Sequence, residues 1–366
     1  MEVGVRELRN ICAWLKFYID PKNDNYAQQN VRVKSNSSGQ VVFISSNGHA
    51  ICSIKFPVSG PPNIDYCIDW NALLSLSKTT MLTMTMDFTI LKTCIKIKVN
   101  GSRTKLEASP STGFDSDIEL HKNIIKCYKG DYDAASIKSL KHSVIVDIQD
   151  PIIGMVSLNK GYAYTCRHYS ICKTPFKLFT NKQKNKPIYL RYQDFRALTH
   201  TTNAQFFVGD NAVIAKHSLG LLTMPIVNPD IDLVGTLEKA YASSNVKHKV
   251  KINKKYFVAA LHRTRQIVGA VNVRLHINSK KISIKVEDES VTDDHWEFIN
   301  CKSDIECSCL TKVTWLLEFA RAVVDTEFEI LIPDLTTPAS FLCLGDSKIT
   351  DLIAFRNNGQ LEKVET

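Results

Sequence analysis

NKKYFVAALHRTRQIV, residues 253–268, reads as one amphipathic helix. Phe257, Ala260, Leu261, Thr264, Ile267 and Val268 recur at three- and four-residue steps, the spacing of a single helix face. Asn253 stands where a side-chain cap would hold the first turn. Lys255, Ala259, His262 and Gln266 fall on the opposite face, with Arg263 and Arg265 on its flanks and no acidic residue in the stretch. The pattern predicts a helix that packs one side on a core and turns a cationic side outward.

The same design occurs twice upstream. In GVRELRNICAWLKFY, residues 4–18, Val5, Leu8, Ile11, Cys12, Leu15 and Tyr18 form the apolar stripe. Arg6, Asn10 and Ala13 lie opposite it, with Arg9 and Lys16 on the shoulders. In YDAASIKSLKHSV, residues 132–144, Ile137, Leu140 and Val144 point inward and Lys138, Ser139 and His142 outward. A shorter helical set begins near Asp69, Arg191 and Lys312, adding bases such as Arg196. The steps within each set are about 120 to 130 residues, which marks a threefold long-period repeat.

Strands fill the intervals. Val41–Ser45 and Ile51–Phe56 flank Ser46-Asn47-Gly48, a hairpin signal. Ala204–Val208 and Ala212–His217 flank Gly209-Asp210-Asn211, and Val271–Ile277 and Lys281–Val286 flank Asn278-Ser279-Lys280. The expected fold is α+β: three similar domains with helices on one face of antiparallel sheets. The expected boundaries are 1–121, 122–246 and 247–366, the last ending in a short polar tail.

The chain of 366 residues carries 46 Lys and Arg against 37 acids, a net charge of +9 that suits a polyanionic partner. A basic face on one helix is ordinarily just solvated; three equivalent ones argue for use. No stretch reaches the ~18 apolar residues of a membrane span, and the charged N-terminus does not resemble a signal peptide. A cytoplasmic protein without membrane contact is expected. The 11 cysteines, an odd number, then read as free thiols in a reducing compartment. Two clusters merit a metal test: Cys166, His168 and Cys172, placed by parity on one face of one strand, and Cys301, Cys307 and Cys309. Neither has a CxxC knuckle, so buried thiols and no metal are expected.

No phosphate loop, GxGxxG, GxSxG or HExxH motif is present. Glu287-Asp288-Glu289 and Asp293-Asp294 fall in one expected loop, a solvated turn before a two-metal nuclease site. No catalytic residue and no cofactor is therefore assigned. The alternatives are a non-ring basic scaffold that binds DNA and a nucleic-acid-processing enzyme. A single-strand binder would need aromatics interleaved with bases, for which Tyr189, Tyr192 and Phe195 come closest.

Several stretches resemble the bacterial-type sliding clamp, the β subunit of DNA polymerase III. Val41–Cys52, Gly101-Ser102-Arg103-Thr104-Lys105-Leu106 with Phe114-Asp115, Arg265–Val268 leading into Val273-Arg274-Leu275, and Val313–Val323 followed by Phe328–Ile332 and Phe341–Leu344 carry the likeness in order and spacing. The resemblance implies a head-to-tail homodimer ring of six similar domains, helices lining a hole that holds double-stranded DNA without sequence preference. It implies that Arg6, Arg9, Lys16, Lys138, His142, Arg196, Lys255, His262 and Arg263 meet phosphates. It also implies a pocket for peptides of the DNA polymerase and the clamp loader, at Val156, Tyr164, His168 and Tyr169 with Leu352, Ile353, Ala354 and Phe355. Two features depart from the family: an overall basic charge, as in a divergent phage-borne member, and the tail 357–366, expected to fold toward that pocket.

Overall fold

The computed structural model describes residues 2–22, 24–114, 126–129, 132–144, 154–167, 170–176, 187–200, 204–229, 234–235, 238–239, 246–287, 295–333, 341–345, 350–354 and 362–363. The chain packs as two units, one built from residues 1–131 and 193–227, the other from 132–192 and 228–366.

In the first unit, helix α1 (Val5–Leu15) continues as a tighter turn over Lys16–Tyr18. The whole expected stripe from Val5 to Tyr18 is buried, and Trp14 with it, because its ring stacks on His217 at 5.2 Å. Helix α2 (Trp70–Thr79) starts where the Asp69 carboxylate accepts from the Ala72 amide at 2.7 Å. One sheet runs Glu2–Gly4, Thr85–Ile90, Cys94–Val99, Ser102–Glu107, all antiparallel. The other runs Asp65–Ile68, Val31–Ser35, Gln40–Ser46, Ile51–Ser59, and then continues into strands of the second repeat: Gly220–Val227, Ala212–Lys216, Gln205–Val208 and Lys126–Lys129. Phe43, Phe56 and Phe88 interlock in the core, at 4.1 and 5.1 Å between centroids. The Tyr18 hydroxyl donates to the Asp194 carbonyl at 2.8 Å and the Asn47 amide to the Asp194 carboxylate at 3.1 Å, stitching the two repeats together.

In the second unit, helix α3 (Ala134–Ser139) is capped by Asp133; the single turn α4 (Tyr192–Phe195) starts here at Tyr192 and lies otherwise in the first unit. Helix α5 (Lys254–Val268) begins with Asn253 accepting from the Lys255 amide and ends at Gly269, whose φ of 87° suits a residue without Cβ. Helix α6 (Val313–Ala322) packs beside it, and Phe257 and Phe319 close edge-on over Phe328 at 5.5 and 6.0 Å. One sheet runs Ile188–Arg191, Met155–Asn159, Tyr162–Arg167, Ser170–Pro175, Thr350–Ala354, Phe341–Gly345, Glu327–Pro333, Val246–Asn253. The other runs Glu362–Lys363, Cys307–Lys312, Asn272–Ile277, Lys281–Val286, Trp296–Lys302.

The α+β class with antiparallel sheets is as expected, and all three hairpin turns close where the sequence places them. The repeat and the packing nevertheless divide the chain differently. Strands of the middle repeat extend the sheet of the first repeat on one side (Gly220 opposite Ile54) and that of the third on the other (Ile171 opposite Leu352). Hydrogen-bonded sheet continuity therefore groups halves of the middle repeat with each neighbour. Three smaller expectations change as well. Ser139 is buried, its hydroxyl donating to the Ser136 carbonyl at 2.6 Å, so it does not face out. Ile267 is 60% exposed, at the edge of the apolar stripe, while Val268 in the same turn still packs on the core. In the tail, Glu362–Lys363 pairs with Cys307 and Ser308 at the edge of a sheet, not with the strands of the expected pocket.

Candidate nucleic-acid interface

The expected cations occupy distinct situations. On α1, Arg6 and Lys16 are exposed. Arg9 is committed elsewhere: its guanidinium donates to the carbonyls of Ser77 at 2.6 Å, Lys78 at 3.1 Å and Thr80 at 3.0 Å. A fork of donors thus satisfies the carbonyls at the end of α2, where the helix dipole also favours a cation. Arg9 is a clasp between two helices and is removed from the set of phosphate contacts. Arg9→Ala is expected to cost about 1–2 kcal/mol in urea denaturation, because two part-buried carbonyls and an exposed one lose their donors. Arg9→Lys should recover less than half, a point charge replacing a fork. A large loss of duplex affinity at unchanged stability would contradict this assignment. Arg196 is exposed and lies 5.5 Å from the Phe17 ring, a cation–π contact that leaves donors outward.

In the second unit Lys138 is exposed, while the side chain of His142 lies outside the described residues. On α5, Lys255 and Arg265 are exposed and His262 is half-buried. The α5 face borders an open groove of about 850 Å³ whose walls include Lys255, Tyr256, His262, Arg263, Arg321 and Asp325. Arg263 is bidentate to Glu297, at 2.8 and 2.6 Å, so its charge is already balanced. The outward face of α5 is thus cationic chiefly through Lys255 and Arg265, with Arg321 of α6 lining the same groove and Lys254 bent back to donate to the Val323 carbonyl.

The expected peptide pocket is brought together in part. Thr350–Ala354 lies beside Ser170–Pro175, with Ile353 opposite Ser170, Leu352 opposite Ile171, and Ala354 opposite Phe341 on the next strand. His168, Tyr169 and Phe355 lie outside the described residues. Val156 and Tyr164 are both buried, but Ser157, not Val156, stands opposite Tyr164. Successive residues alternate faces, so Val156 and Tyr164 project from opposite sides of the sheet. Beside Tyr164, Glu238 takes an ion pair from Lys160 at 3.3 Å and lies 3.5 Å from the Tyr164 hydroxyl. Burial first, and then the Glu238 charge, push that phenol up. Lys173 lies 4.2 Å from the Tyr162 ring centroid, and burial lowers its pKa.

The residues singled out for metal and for stacking are placed in part. Cys166 and Cys172 sit on two paired strands, Cys172 opposite Thr165 and Cys166 opposite Ile171, hence on opposite faces. His168 lies outside the described residues, and among the described residues no three His, Cys, Asp or Glu side chains could hold a metal ion. Tyr189, Tyr192 and Phe195 are buried and offer no stacking surface. Among the described residues no helix is long and apolar enough to cross a membrane.

Neither a protein-family model nor a curated protein matches this sequence. Solved structures do, over nearly their whole length. The DNA polymerase III β subunit of Thermotoga maritima aligns at TM-score 0.76 and 9% identity, over 100% of this chain and 99% of that one. That of Pseudomonas aeruginosa aligns at 0.74 and 10%, covering 100% of both chains. A Helicobacter pylori β clamp, solved with a DNA ligase peptide, aligns at 0.71 and 12%, over 97% of this chain and 99% of that one. None of these comparisons supports a phage origin. At such identities the likeness speaks for the backbone alone: this chain has the fold of the bacterial DNA polymerase sliding clamps.

Proposed function

We propose that this protein is a DNA sliding clamp, a non-enzymatic cytoplasmic ring that encircles duplex DNA and tethers a polymerase to it. The observation that carries the reading is the end-to-end correspondence of its fold with chains solved as polymerase clamps. Arg6 and Lys16, Lys138, and Lys255 with Arg265 give independent support, standing exposed on helices whose other faces are buried. Long cations on such faces can touch phosphates without reading bases, which permits sliding. Three domains per chain, 1–121, 122–246 and 247–366, would close a ring at two head-to-tail copies.

Two strand edges fit that closure. Among the described residues, Ser102–Glu107 pairs only with Cys94–Val99. Trp296–Lys302 pairs along its length with Lys281–Val286, and only its last two residues meet Val246–Asn253. Open edges recruit other strands, and pairing them between copies would hide both. Polymerase and clamp-loader peptides would dock where Thr350–Ala354 meets Ser170–Pro175.

The test is retention on DNA of different topology. Loaded on nicked circular DNA, the protein should survive a high-salt wash and be lost once the circle is cut open. Equal release from circles and linear duplex as salt rises would refute the ring, and nicking of an intact circle in magnesium would point to an enzyme.

A further inference from the structure

The strand Trp296–Lys302 turns a row of rings outward that the clamp reading does not use. Trp296 is 38% and Phe298 59% exposed, whereas Glu297 between them faces the helices and holds Arg263. The His276, Trp296 and Phe298 rings stand nearly parallel to one another in a row. Neighbouring centroids are 6.4 and 6.1 Å apart and the planes differ by 17° and 12°. Cations are set among them: Lys285 stands opposite Trp296 in register with its Nζ 5.0 Å from that ring, and Lys281 Nζ is 4.9 Å from Phe298. Arg274 lies opposite Lys285 on the next strand, and His276 opposite Ser283.

We infer that this sheet face is a binding platform for single-stranded nucleic acid. Parallel aromatic faces interleaved with lysines match a ligand that alternates flat bases with phosphates. In a duplex the base faces are stacked on one another, so a flat sheet cannot reach them; an unpaired strand offers them freely. An acidic peptide would satisfy Lys281 and Lys285 yet give the parallel rings nothing to stack on. The platform uses a face of the sheet, whereas ring closure would use the edge of the same strand, so it would work in a single copy.

The test uses the full chain with a labelled thymidine oligonucleotide, followed by anisotropy and by tryptophan emission. Trp14 and Trp70 are each only 3% exposed and Trp315 is half-buried, so quenching that disappears in Trp296→Phe would report on Trp296. The oligonucleotide should bind and quench. Trp296→Ala/Phe298→Ala should weaken oligonucleotide binding at least tenfold. Lys281→Gln/Lys285→Gln should reduce the slope of log affinity against log salt by about 1.4, two phosphate contacts on a single strand. An abasic strand of equal length should bind no better to the native chain than the oligonucleotide does to the ring-deleted variant. Three results would overturn the proposal: unchanged affinity in that variant, equal affinity for the abasic strand, or conversion of a dimer to a monomer with oligonucleotide binding intact. The last would assign the rings to a seam between copies.

Discussion

Gly220→Ala will unfasten the middle repeat from the first. A Cβ at that position would stand 2.1 Å from the Ser53 carbonyl oxygen and 2.9 Å from the Ile54 Cα, both backbone atoms that no rotamer change can clear. Gly220 pairs with Ile54 at the end of the ladder joining Ile51–Ser59 to Gly220–Val227, and it also closes the turn to His217 through hydrogen bonds in both directions. The strands must part, and the loss should exceed about 4 kcal/mol, the range reserved for a named structural failure. Gly4→Ala is the control: nothing lies within 4 Å of its Cβ, its φ is −66°, and it should change stability by less than about 1 kcal/mol. Urea midpoints compare the two, and amide exchange should lose protection first at residues 51–54 and 220–223. A Gly220→Ala chain with native midpoint and native protection would mean that this ladder does not hold the unit together.

That join also marks where reading the sequence stops. Helix faces and hairpin turns are local: the stripe from Val5 to Tyr18 and the Asn47-Gly48 turn are written in residues three, four or two apart. Pairing between Gly220 and Ile54 spans most of two repeats and leaves no period to detect. Before its partner strand is known, Gly220 is an unremarked glycine after a turn. The division of the middle repeat between two units was unreadable for the same reason.

The candidate interface shows a second limit. A helical wheel finds which residues face away from a core but not what waits for them there. Arg9 faces away and meets the carbonyl end of α2; Arg263 faces away and meets Glu297. Asp194, two residues before Arg196, is 1% exposed and bonded to Asn47. Tyr189, Tyr192 and Phe195 looked like stacking groups because bases stand near them in sequence, yet strand and helix parity buries all three. Trp296 and Phe298 carried the usable signal, alternation on a strand with Lys281 and Lys285 in the preceding one. Only register brings those four together.

The second large effect is alkaline unfolding. Burial pushes the Cys12 thiol up to about 11, against a weaker opposing hydrogen bond from Ser77, and Cys307 up to about 12. Cys52 and Cys309, fully buried, are raised further by the same desolvation. All four thiols therefore keep their protons in the folded chain at a pH where the unfolded chain, with thiols near 9.0, has lost them. The sign follows: their contribution is intact below pH 9 and disappears as pH rises toward the folded values. Each such thiol removes about 1.4 kcal/mol per pH unit in that window. Cys12 and Cys52 lie in the first unit and Cys307 and Cys309 in the second, so each unit should lose roughly 4 to 5 kcal/mol between pH 9 and 11. Against a typical total of about 5–15 kcal/mol, that removes from about a third to nearly all of a unit's stability. Tyr18, buried beside Asp194, acts in the same direction above pH 10. Under reducing conditions the urea midpoint should hold steady to pH 8.5 and then fall steeply, with thiolate absorbance appearing together with unfolding. A smooth titration centred near pH 9 in a chain that stays folded would mean that water reaches these thiols in the native state, and the packing around Cys52 and Cys309 would have to be looser than the interlocked cores described above.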